Sequence, residues 1–103
     1  MTPLETLKAA RDLISDPARW TQGWFAKNAR GENVNSFSEN AVCFCVLGAL
    51  DRTHNSTPAV KDILNRHLPL EHNISSFNDT HTHPEVLALF DAAIAELEGA
   101  NVA

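Results

Sequence analysis

The residues whose types could do chemistry fall in a few short stretches. Phe77-Asn78-Asp79 sets an amide beside a carboxylate, just ahead of a segment that reads as a helix. There the pair could aim two acceptors and an amide donor into a cleft. The same residues also suit structural work: Asn and Asp hydrogen-bond nearby backbone and fix turns, and Phe77 would then plug the core. Trp20, Gln22 and Trp24 could form a recognition surface, because an indole offers broad contact area and one N–H donor. Two tryptophans in a chain of 103 residues are more often core or hairpin packing. Trp20, Gln22, Trp24, Phe77, Asn78 and Asp79 are the candidate binding residues.

Two further groupings carry less. Cys45 with a histidine and Asn78 or Asp79 would make a Cys-His-Asn/Asp nucleophilic site. A thiolate needs a helix N-terminus or a nearby cation. Cys45 is expected about two turns into an apolar helix, where burial raises its pKa and blocks access. No catalytic residue is assigned. His81-Thr82-His83, with Asp79 and His72 near in sequence, has the composition of a metal cluster. Alternate histidines share a face only in an extended segment, and His83 falls at a helix start. The expectation is a surface cluster that charges below about pH 6.5, with no metal. Glycine-rich phosphate loops, Ser-His-Asp motifs and nucleotide fingerprints are absent from the sequence, and no cofactor is expected.

The elements that must position these residues are built around 41–50, a run of ten apolar residues containing Cys43, Cys45 and Gly48. A bilayer crossing takes about 20 residues, so this run is expected to be the buried centre of the fold. It is read as a central helix from Phe37 to Arg52, opened by a Ser36-Phe37-Ser38-Glu39 capping box. Gly48 within it would let another backbone approach closely. On that helix Cys43 and Cys45 point about 200° apart and cannot bridge. Thr2-Pro3-Leu4-Glu5 caps a first helix with Leu4, Leu7, Ala10 or Arg11, and Ile14 on one face, ended by Ser15-Asp16-Pro17. Residues 19–36 read as a short β-hairpin or extended loop, with a short helix from Asp16 to about Trp24 as the alternative. Thr57-Pro58 starts a third helix. Leu70 to Thr80 reads as a connection without helical period, Ile74 to Phe77 alternating like a short strand or tucked loop. A last helix starts near Thr82-His83-Pro84-Glu85 and stops at Gly99. The fold class expected is mainly α: a compact four-helix domain spanning 1–103, with a short β-hairpin or irregular segment between helices 1 and 2.

Charge is unevenly distributed. Net charge is −5. Residues 1–66 hold all eight Lys and Arg against seven acids, while 67–103 hold six acids, no Lys or Arg, and four of the five histidines. Phosphate neutralisation needs Lys or Arg, so nucleic-acid binding through that third is disfavoured. A basic protein partner fits it, as does a solvated acidic face. The split also allows self-association, the near-neutral part of one copy meeting the acidic part of another. No basic region followed by an apolar stretch opens the chain, and no second long apolar run exists; a soluble cytoplasmic protein is expected.

Three stretches together resemble a small uncharacterised family found in actinobacteria and their phages, that of domain of unknown function 6197. Trp20-Thr21-Gln22-Gly23 is similar to its Trp-x-x-Gly opening. Ala41 followed by Phe44-Cys45-Val46-Leu47-Gly48-Ala49-Leu50 is similar to its aromatic-Cys core. Ile74-Ser75-Ser76-Phe77-Asn78-Asp79, then Glu85-Val86, is similar to its Trp-Asn-Asp segment. Phenylalanine replaces tryptophan at 44 and 77, which removes any role for an indole N–H there. The resemblance implies a small self-contained domain and a phage or mobile-element accessory, and supplies no reaction. The function expected is a protein-binding module, an inhibitor or regulator. The alternatives are a small-molecule sponge lined by Trp20, Phe77 and Asn78, or a Cys/His hydrolase or transferase.

Overall fold

The computed structural model describes residues 1–100. Helix α1 (Pro3–Leu13) forms as its cap requires: the Thr2 hydroxyl accepts the Glu5 amide and the Glu5 carboxylate accepts the Thr2 amide. Leu7, Ala10 and Ile14 lie on the stripe that this spacing makes, and all three are buried. Asp16 then caps a single 3-10 turn, Pro17–Arg19, which is as far as the alternative helix in this region gets.

The hairpin expected after that turn is present. Strands β1 (Ala26–Lys27) and β2 (Asn33–Val34) pair antiparallel around a turn in which the Asn28 side chain accepts the amides of Arg30 and Glu32. A third strand, β3 (Cys43–Phe44), pairs antiparallel on the other side of β1, giving the order β2-β1-β3.

That third strand comes from the apolar run, and it corrects the central helix. Helix α2 is only Val46–Arg52. Residues 41–44 run extended, Cys45 is the cap with its Sγ accepting the Gly48 amide at 3.3 Å, and only then does the chain turn helical. A fully apolar run has no periodicity to separate buried strand from buried helix. The Ser36–Glu39 box is not used as a cap. Arg52 donates to the carbonyls of Ser36 and Ser38, and the Ser36 hydroxyl bonds Asp51, so these residues form a loop tied to the far end of α2. Gly48 does admit another backbone: a Cβ there would lie 1.9 Å from the carbonyl oxygen of Phe25.

Helix α3 (Pro58–Asn65) is capped by Thr57, as expected. The connection from Leu70 to Thr80 is not irregular: it holds a helix, α4 (Ile74–Thr80), so five helices are described rather than four. Its capping box uses Asn73 and Ser76, side chains that bond each other's amides at 2.8 and 3.0 Å. Helix α5 (His83–Ala100) starts at the Thr82–Glu85 box and continues through Gly99 instead of stopping there. Leu7, Phe44, Leu50, Val60, Leu64, Val86 and Phe90 meet in one buried cluster. No described helix is long and apolar enough to cross a membrane.

Candidate functional site

Asn78 is 1% exposed and sits at the crossing of three elements. Its Oδ1 accepts the Trp20 indole N–H at 2.8 Å and the Val46 amide, the first of α2, at 3.1 Å. Its Nδ2 donates to the Thr21 carbonyl at 3.0 Å and to Asp79 Oδ1 at 3.1 Å. A carboxamide has two lone pairs and two N–H donors; all four are engaged, and the two N–H groups facing Oδ1 fix which way the amide points. Gln22 Nε2 donates to the carbonyls of Asn78 and His81, and Asp79 Oδ1 accepts the Gly23 amide at 2.9 Å. Gly23 holds φ +85°, a left-handed turn suited to glycine.

Trp20, Gln22, Asn78 and Asp79 are therefore one knot that ties residues 20–23 to α4 and to the start of α2. Phe77 lies in the core, 8% exposed, with its ring stacked on His81 at 3.9 Å. Trp24 stands apart. It is 47% exposed, packed edge-on against Phe25, itself 42% exposed, and among the described residues nothing accepts its indole N–H.

Those two aromatics form the lip of a cleft of about 120 Å³, lined also by Gly23, Cys45, Leu47, Ile74 and the Asn78-Asp79 pair. Phe25 carried no functional signal in the sequence, and Leu47 and Ile74 stood out only as members of the family-like stretches. Gly23 did carry one, as the end of the Trp-x-x-Gly stretch.

Cys45 is at the cap of α2 rather than two turns inside a helix, so the local geometry is not the one expected. Its protonation still follows burial. Desolvation pushes the thiol pKa up, against the lowering effect of the Gly48 and Leu47 amides, and the carboxylates of Asp79 and Asp51 push it further the same way. The cleft lining contains no histidine to take the proton. His72 and His81 lie with their ring centroids 5.1 Å apart, but His81 Nδ1 donates to the Phe77 carbonyl and His83 Nε2 to that of Ile14, and among the described residues no three His, Cys, Asp or Glu side chains are grouped around a point that could hold a metal ion.

Three of the six carboxylates in the acidic C-terminal third are paired within the chain. Arg11 pairs with Asp91 at 2.6 Å, Lys8 with Glu98 at 3.5 Å, and Arg66 with Glu96, which His67 also contacts. The Arg66 bond holds the Glu96 carboxyl below its ordinary pKa, and the Thr82 cap does the same for Glu85. The uneven distribution of charge along the chain thus becomes α1 and α3 clamped onto α5, which leaves less of an acidic face than the sequence suggests.

Comparison with known proteins gives a match over residues 1–96 to the model of a family of unknown function (DUF6197). No curated protein and no solved structure matches.

Proposed function

The chain belongs to that family of unknown function, and we propose that it is a protein-binding module whose working surface is the cleft behind Trp24 and Phe25. The observation that carries this is the exposed aromatic pair. The hydrogen-bond network around buried Asn78 extends through Asp79 to the amide of left-handed Gly23, and the next two residues stand outward instead of folding into the core. Exposed contiguous aromatics beside an apolar cleft are the composition of interface anchors. The cleft itself, at about 120 Å³, is well below the roughly 300 Å³ of a site that encloses a small molecule, and the depression it opens into is too shallow and open to enclose one. It suits one inserted side chain better, which places the sponge reading second. A buried, protonated Cys45 without a base places the hydrolase or transferase reading third. A phage or mobile-element accessory that inhibits or regulates a host protein is the finer form of this proposal, and it rests on the family resemblance alone.

The test is affinity capture from a lysate of the encoding organism with the wild-type chain, Trp24→Ala and Leu47→Asp. A protein retained by wild type and lost by both folded variants supports the module. Equal retention by all three removes this surface. A ligand-dependent rise in melting temperature in a metabolite screen, with no protein retained, would favour the sponge.

A further inference from the structure

We propose that the occupant of this surface is an extended peptide segment carrying a basic side chain at one end and an acidic one at the other, the basic one at Asp79 and the acidic one at Lys61. The inference rests on the docking reading above and adds the chemistry of the partner.

The cleft beside Trp24 does not end at α4. It continues past Leu47, Ile74 and Ser75 into a more open depression of about 310 Å³ that shares those three residues and is bordered further on by Lys61, Asn65 and Asn73. The combined groove follows one face of α4: Ile74, Ser75, Asn78 and Asp79 are spaced i, i+1, i+4, i+5, with the cap Asn73 at one end. Asn73 to Asp79 spans about 9 Å at roughly 1.5 Å per residue. An extended chain covers that distance in about three residues at roughly 3.3 Å each.

The groove has opposite charges at its two ends and apolar surface between them. Among the described residues neither Lys61 nor Asp79 has an ion-pair partner, and of the unpaired cations Lys61 is the one that borders this groove. Asp79 uses Oδ1 for Gly23 and Asn78, and its Oδ2 has no described partner. Leu47 and Ile74, shared by both halves, supply the apolar middle, and the Trp24–Phe25 lip flanks the Asp79 end. The Ser75 hydroxyl and the Asn65 amide, also without described partners, can meet the backbone groups that an extended segment leaves open. A nucleic-acid strand is disfavoured, because the Asp79 end repels phosphate and one lysine neutralises little.

The experiment is titration of the ¹⁵N-labelled full chain with acetyl-Arg-Leu-Ile-Glu-amide, its charge-reversed partner acetyl-Glu-Leu-Ile-Arg-amide, and neutral acetyl-Gln-Leu-Ile-Gln-amide. The signals followed are the Trp24 indole N–H and the amides of Leu47, Ile74 and Ser75. One of the charged peptides is expected to bind with Kd of about 1 mM or tighter, and the neutral one about fivefold more weakly. Lys61→Glu should remove the charged peptide's advantage. The Lys61 side chain makes no described hydrogen bond or ion pair, so the variant is expected to fold. Equal binding of the neutral peptide, or no effect of Lys61→Glu, overturns the charge assignment while leaving the docking surface standing. No shift at these signals with any peptide up to about 5 mM overturns the inference. Capture lost in Trp24→Ala would then show that the docking surface itself survives, and capture retained there would show that both have failed. Indole shifting the same signals where the peptides do not would overturn the peptide assignment in favour of a small aromatic ligand.

Discussion

Trp20 and Trp24 stand one helical turn apart in sequence and have opposite fates. Trp20 is packed against the core and donates its N–H to Asn78 at 2.8 Å, while Trp24 is half exposed and its N–H has no described acceptor. The divide between them is Gly23, where the backbone turns left-handed and hands its amide to Asp79. The first indole thus belongs to a closed hydrogen-bond account with no capacity left over, and the second to a surface with capacity unused. The knot ends where the lip begins: residues 24 and 25, directly after Gly23, are the ones that water reaches.

The largest effect expected from breaking this contrast is on the knot. Asn78→Leu leaves the Trp20 and Val46 N–H groups without an acceptor in a buried site, which should destabilise the fold by about 4 kcal/mol in urea denaturation. Gly48→Ala drives a methyl into the Phe25 carbonyl. The hairpin must move off α2, at a cost of about 3 kcal/mol, and the lip should be displaced with it, so partner capture should weaken as well. Trp20→Phe keeps most of the ring and leaves Asn78 Oδ1 still bonded to the Val46 amide; a loss of about 1 kcal/mol with capture intact is expected. Trp24→Ala should do the reverse, changing stability by no more than about 1 kcal/mol while abolishing capture.

The smallest effect expected concerns the clamp of α3 on α5. The Arg66 bond lowers the Glu96 pKa in the folded state from its ordinary 4.5. The folded state therefore binds that proton less readily than the unfolded chain. The stabilisation is complete above the unfolded value and is lost as pH falls through the lowered folded value. Wild type should lose urea resistance on acidification below 4.5, and Glu96→Gln should flatten that part of the profile without altering capture at pH 7.

Much of this was legible in the sequence where a signal was local. The Thr2, Thr57 and Thr82 caps each depend on side chains within a few residues of the backbone they bond. The central helix was overextended because residues 41–44 carry no period, and only their pairing with Ala26 and Lys27 makes them a strand. α4 was missed because Asn73-Ile74-Ser75-Ser76 caps with a serine where a Glu or Gln is the usual sign. For the site, the prominent residue types were found but not their division of labour. Asn78 and Asp79 stood out in the sequence, yet that one is sealed in a knot while the other keeps an oxygen free depends on residues more than fifty positions away. Phe25, Leu47 and Ile74 join a cleft only through that same long-range closure.

The central claim is that Trp20 is locked and Trp24 is offered. It is tested most directly by the two indole N–H resonances of the ¹⁵N-labelled chain, assigned with Trp24→Phe, observed during solvent exchange and on adding the captured partner. The account predicts a slowly exchanging Trp20 signal that the partner leaves unchanged, and a rapidly exchanging Trp24 signal that shifts or broadens. Equal exchange at both indoles, or a partner that moves Trp20 and leaves Trp24 untouched, would contradict it.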